Sequence, residues 1–170
     1  MKDVILTERQ KQEHLFKMLN DFDTAMLVTH TDHGSLRSRP LSIAKPVEQG
    51  GKLYFATARA SGKVHEIESD DEVNVSLQDK RHFVSLAGTA RIVEDRALVD
   101  KLWSEAWKIW FPQGKDDPSL CLVEVTPSAA EYWDEGSTNG LKYAFEMASA
   151  YVKGTRPTSH DDKQNARVKL

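Results

Sequence analysis

Tyr54-Phe55-Ala56-Thr57-Ala58-Arg59-Ala60-Ser61-Gly62-Lys63 is the stretch on which the fold turns. Its opening residues are aromatic, small or β-branched, in the manner of a strand that ends at Thr57. A loop follows, and Ser61 stands as the N-cap of a short helix over residues 62–69. A strand end that meets a helix start gathers hydroxyls, unpaired backbone N–H groups and a cationic side chain. Helix N-termini favour anions through those N–H groups and the helix dipole. A phosphate placed there would meet Thr57, Ser61, the Gly62 N–H and Lys63. Taken alone, such spacing more often marks an ordinary capped helix with a solvated lysine.

Toward the N-terminus the pattern is β-like. Residues 25–30 are apolar and β-branched, Asp32-His33-Gly34 signals a turn, and residues 36–44 form a second strand. Gln49-Gly50-Gly51 makes another turn before residues 52–58, so the three segments read as an antiparallel meander. Ahead of them, Thr7 and Gln10 have capping-box spacing, and Leu15, Met18, Leu19 and Phe22 recur at helical intervals, which predicts a helix over residues 8–20.

Toward the C-terminus, residues 72–78 form a strand with Val73, Val75 and Leu77 on one face. A long strand over residues 82–94 carries Gly88 in its middle, a sign of a bulge or a close backbone approach. Residues 96–111 predict one continuous helix. Its apolar residues, Trp103, Trp107 and Trp110 among them, fill an arc of roughly 180° at ~100° per residue. That arc exceeds one core contact, so part of it is expected to meet a subunit or a ligand. Residues 120–125 form a strand that 129–133 continue past Pro127, and a last helix is expected over residues 141–152. About six antiparallel strands with peripheral helices describe a small barrel better than an alternating α/β sheet. The expected division is a domain over residues 1–153 and a polar, flexible tail over residues 154–170.

Composition narrows the function classes. The chain has 170 residues, 39% hydrophobic and 29% charged, which suits one globular domain. A net charge of -3 with scattered basic residues gives no electrostatic reason to expect nucleic acid or an anionic membrane. The single cysteine, Cys121, leaves no internal disulfide and argues against a cysteine zinc site. No apolar run approaches the ~20 residues of a spanning helix, and the first residues do not read as a signal peptide, so a cytoplasmic protein is expected.

Two further segments could carry chemistry. Arg37-Ser38-Arg39-Pro40-Leu41 places two arginines on one strand face, where an arginine could hold a phosphate bidentately, and Pro40 interrupts the ladder. A solvated arginine pair on an edge strand is the commoner meaning of such a run. The tryptophans could wall a planar ring; for Trp103, Trp107 and Trp110, core and subunit packing is preferred, and Trp133 is left open. His30-Thr31-Asp32-His33 reads as a surface turn rather than a metal site. Neither dinucleotide-binding glycine fingerprints, phosphate loops nor serine-nucleophile signatures occur, and no residue stands out as a dedicated proton donor.

The order of these segments resembles the general stress proteins of the FMN-binding split-barrel superfamily, related to pyridoxamine 5'-phosphate oxidase. The resemblance spans residues 8–150. It rests on Arg39-Pro40-Leu41, Tyr54-Phe55-Ala56-Thr57, Ser61-Gly62-Lys63, Val84-Ser85-Leu86-Ala87-Gly88-Thr89-Ala90, Phe111-Pro112-Gln113-Gly114 and Glu131-Tyr132-Trp133. It implies a mainly β split barrel that binds FMN, with FAD as a further cofactor. It also implies a homodimer with flavin sites at the interface, and an unidentified small-molecule substrate.

The implied cofactor residues are Arg39, Pro40 and Leu41 beside the flavin, Ala56 and Thr57 toward the phosphate, and Ser61, Gly62 and Lys63 around it. Trp133 would reach the flavin of the neighbouring subunit. Gly62 stands where the family has an arginine, a loss that Arg59 or Arg39 could offset. Asn139-Gly140-Leu141-Lys142 lacks the Arg-x-His substrate pair of the oxidases, and Phe83 falls near their glutamine. Oxidation of pyridoxamine phosphate is therefore not expected. An oxidoreductase on another small molecule is implied first. The alternatives are a flavin-binding stress, storage or sensor protein without turnover, and a barrel that prefers FAD, deazaflavin or haem.

Overall fold

A computed structural model describes residues 5–48, 50–135, 149–154 and 164–170. Helix α1 (Glu8–Leu19) opens on the expected capping box: the Thr7 hydroxyl accepts from the Gln10 N–H at 3.3 Å, and the Gln10 side chain accepts from the Thr7 N–H at 3.0 Å. Its Leu15, Phe16, Met18 and Leu19 are buried against the barrel.

The strands are β1 (Thr24–His30), β2 (Leu36–Ser42), β3 (Leu53–Ala58), β4 (Glu72–Gln78), β5 (His82–Val93), β6 (Leu120–Asp134) and β7 (Asn165–Lys169). The pairing order is β2-β1-β4-β5-β6-β3, antiparallel throughout, with β7 beside the far half of β6. The two ends of this path meet where Ile43, just past β2, bridges Phe55 of β3. The sheet is thereby rolled into a barrel around Leu27, Phe55, Val75, Leu86, Val123 and Tyr132. This is the mainly β split barrel that the sequence implied.

Three expectations need correction. The meander fails at its third strand, because β3 runs along β6 and touches β2 only at one bridge. Burial explains the choice. Strand β3 is apolar enough to need cover on both faces, and the adjoining half of β6 is buried residue after residue, whereas β2 is largely exposed. Pro40 accordingly lies on a strand at the end of the path.

Residues 96–111 do not form one helix. Helix α3 covers Arg96–Leu102, the chain turns out of helical geometry at Trp103 (φ -54°, ψ 132°), and a 3-10 segment covers Glu105–Ile109. The overly wide apolar arc is thus the sum of two narrower faces. After the break, Trp107 and Phe111 are buried with Val99, Leu102, Leu120 and Leu122, while Ile109 and Trp110 stay exposed. Trp103 meets Trp107 edge-on, with ring centroids 5.7 Å apart.

The segment expected to be a polar tail supplies β7, whose Ala166 and Val168 are buried. Alternation of small apolar and polar residues over only five positions let it add a strand to β6. The helix expected over residues 141–152 falls mostly outside the described residues, of which 149–153 are helical.

Gly88 meets the close approach expected of it. A Cβ there would stand 2.2 Å from the Thr126 carbonyl oxygen. The β5–β6 register slips between Ala87 and Gly88, opposite Pro127, and β6 runs through the proline unbroken.

Candidate functional site

A cleft of about 480 Å³ opens where the end of β2, the end of β3, the start of helix α2 (Gly62–Ser69) and the 3-10 segment come together. Two walls differ in chemistry. On the polar side, Thr57 ends its strand with a buried side chain whose hydroxyl lies 3.2 Å from the Ser61 hydroxyl. Lys63 Nζ donates to the same Thr57 oxygen at 3.0 Å. Ser61 occupies the N-cap position, but its side chain makes no capping bond and turns to Thr57 instead. The first amides of α2 therefore lack the usual side-chain acceptor.

Charge is unbalanced on that wall. Burial lowers the Lys63 pKa, and the nearby Arg39 guanidinium lowers it further, while Cys121 and Glu66 oppose the shift more weakly. Among the described residues, Lys63 has no carboxylate at ion-pair distance. Two cations held close in a half-buried cleft, beside uncapped helix amides, make a site that gains from an anion.

Arg39 reaches the cleft from β2 and is anchored from behind. Its guanidinium donates to the Thr29 hydroxyl at 2.6 Å and to Glu66, a buried carboxylate on α2. Burial works to raise the Glu66 pKa, but the Thr29 hydroxyl, Arg39 and Arg37 overcome it and hold the carboxyl below its ordinary value. The apolar part of the lining is made of Pro40, Leu41, Ala56, Trp107, Trp110 and Phe111.

Of the residues singled out from sequence, Arg39, Pro40, Leu41, Ala56, Thr57, Ser61 and Lys63 line this one cleft. Gly62 heads α2 without lining it, and a Cβ at that position would meet nothing within 4 Å. Trp133 lies elsewhere on the same chain, opposite Phe83 of β5 and Asn165 of β7. Arg59 is turned away and pairs with Glu68 at 2.7 Å and Glu94 at 2.9 Å, so Arg39 is the arginine at the cleft. Residues 139–142, where the oxidase substrate pair is missing, lie outside the described residues.

Ser42, Ala58, Trp107, Trp110 and Phe111 line the cleft without having been assigned to it. Trp107 and Phe111 have the i, i+4 spacing of a helix face. That spacing is common to core and cleft, and both are in fact core residues that also show an edge to the cavity. Cys121 sits behind Thr57 and donates to its carbonyl at 3.5 Å; burial pushes its thiol up to about 11, so it is no nucleophile.

The model of the family described as "Pyridoxamine 5'-phosphate oxidase like" matches residues 10–158. General stress protein 26 of Bacillus subtilis is 35% identical over 92 residues, which cover 51% of this chain and 65% of that protein. The chain spans just under two thirds of the length of the curated relatives it matches. A crystal structure of the general stress FMN/FAD binding protein from Xanthomonas citri superposes with a TM-score of 0.66 at 27% identity, covering 76% of this chain and 92% of that one. A solved protein of Jannaschia sp. CCS1, assigned to general stress protein 26, gives a TM-score of 0.73 at 23% identity over 95% of this chain and 99% of its own, a likeness of fold.

Proposed function

The chain belongs to the pyridoxamine 5'-phosphate oxidase like family, and from that premise we propose that its cleft binds a flavin, FMN in the first place. The observation that carries this reading is the pairing of two walls in one cavity. A cationic wall of Lys63, Arg39 and the uncapped α2 terminus suits a phosphate, and an aromatic and aliphatic wall suits a planar ring. The residues fit the group: Thr57, Ser61 and Lys63 would hold the phosphate with Arg39 and the Gly62 N–H, and Pro40, Leu41, Ala56 and Trp110 would flank the ring. The relative whose structure is described as binding FMN or FAD supports the same class of ligand.

A bound flavin would supply redox chemistry, and the protein's part would be binding, orientation and exclusion of water. Among the described residues that line the cleft, none is a carboxylic acid, histidine, tyrosine or cysteine. Lys63, whose pKa burial lowers, is the cleft side chain best placed to exchange a proton, and holding a phosphate would occupy it. FMN-dependent oxidoreduction of a small molecule and flavin binding for stress sensing or storage therefore stand side by side. Trp133 is assigned to a second flavin site across a homodimer interface, and the exposed Ile109 and Trp110 suit burial in such a dimer.

The test is the absorbance spectrum and mass of whatever co-purifies, followed by titration with FMN and riboflavin. FMN is expected to bind far better than riboflavin, which lacks the phosphate. Equal affinities would remove the phosphate site. Anaerobic addition of NADH or NADPH then separates the two readings: bleaching of the flavin band supports an oxidoreductase, and an unchanged band supports a binding protein.

A further inference from the structure

Glu66 is a charged side chain that the family resemblance leaves without a role. It lies one turn beyond Lys63 on α2, and only 6% of its side chain is exposed. Its Oε1 accepts from Arg37 at 2.9 Å. Its Oε2 accepts from the Thr29 hydroxyl at 2.6 Å and from Arg39. Thr29 in turn accepts from the other terminal nitrogen of Arg39 at 2.6 Å. Carboxylate, hydroxyl and guanidinium thus close a three-membered ring of hydrogen bonds that joins α2, β1 and β2.

Burying a carboxylate is expensive, and an apolar residue would dock the helix at less cost. What the ion pair adds is geometry. A guanidinium has five N–H donors in a rigid fork, and the Thr29–Glu66 pair engages one donor on each terminal nitrogen. The rest of the fork is held in fixed orientation at the cleft wall, 15% exposed. Without Glu66, Arg39 would be a long flexible cation that must be ordered at each binding event.

We propose that Glu66 is the positioning residue for Arg39, locking its guanidinium toward the ligand's phosphate; this rests on the flavin reading above. Positioning and simple charge have opposite consequences. If Glu66 acted only as a negative charge near the phosphate, Glu66→Gln would strengthen FMN binding. If it positions Arg39, the same change weakens FMN binding.

The experiment is a double-mutant cycle over Glu66→Gln and Arg39→Met, with FMN and riboflavin titrated into each protein at fixed salt. Glu66→Gln is expected to weaken FMN roughly tenfold, about one charge-assisted hydrogen bond, and to leave riboflavin unchanged. In the Arg39→Met background it should cost FMN nothing more. Tighter or unchanged FMN binding, or a loss that persists without Arg39, would overturn the proposal. Thr29→Val removes the bridging hydroxyl while keeping the shape, and should reproduce the selective loss of FMN if Glu66→Gln does not fold; an unselective loss would also overturn it. A wild-type protein that binds neither flavin would instead bring down the flavin reading itself.

Discussion

Replacing Lys63 by methionine separates ligand binding from folding, because the structure gives the two effects opposite signs. The Lys63 ammonium lies 3.0 Å from the Thr57 hydroxyl, half-buried, with Arg39 adding like charge. A phosphate would gain one charge-assisted hydrogen bond from it, about 1.5–3 kcal/mol. Losing that bond weakens FMN roughly ten- to a hundredfold at ~1.4 kcal/mol per decade. Riboflavin, without the phosphate, should hardly change.

The unliganded protein should respond the other way. The folded pKa of Lys63 is lowered from 10.5 by burial and by Arg39. Between the lowered value and 10.5, the unfolded chain binds more protons than the folded one, so stability climbs as pH rises through that window. Below it, the penalty for burying the charge is constant. Methionine keeps the aliphatic stem and removes the charge, so the apo protein at neutral pH should be at least as stable as wild type, and its alkaline climb should flatten. The assays are flavin fluorescence titration at fixed salt and thermal melts of apo protein across alkaline pH. Equal losses for both flavins, or a destabilised apo protein, would refute the argument and return Lys63 to the role of a structural surface lysine.

Gly62→Arg restores a charge at the head of α2 where a side chain meets nothing within 4 Å. FMN affinity should rise roughly tenfold with riboflavin unchanged, and titration showing no gain would place position 62 away from the phosphate. Trp110→Ala removes an exposed ring at the cleft. Both flavins should weaken about equally, by about 1 kcal/mol; a loss confined to FMN would contradict an aromatic ring wall. Gly88→Ala drives a methyl group against the Thr126 carbonyl oxygen, which is backbone and cannot move aside. A cost of about 3 kcal/mol, a drop of roughly 6–12 °C in melting temperature, is expected in thermal melts, and a neutral result would mean that the β5–β6 bulge relaxes.

The barrel class, the positions of β1 to β6, the capped first helix and the tight approach at Gly88 were legible in the residues. Each depends on local rules: alternation along a strand, a hydroxyl three residues before a glutamine, a missing Cβ. The grouping of Thr57, Ser61 and Lys63 was legible for the same reason, since a strand end and a helix start lie within seven residues of each other. Pairing across long distances was not. Strand β3 chose β6 over β2 because of burial on both faces, and β7 formed because the far half of β6 had a free edge to cover. The break at Trp103 also lay beyond periodicity, because a wheel assumes one unbroken helix and so adds two short faces into one wide arc. The choice of Arg39 over Arg59 was decided by carboxylates on other elements: Glu66 holds Arg39 at the cleft, and Glu68 and Glu94 hold Arg59 outside it. Sequence specifies which side chains can bind an anion; which of them face one cavity depends on packing between elements that no local pattern encodes.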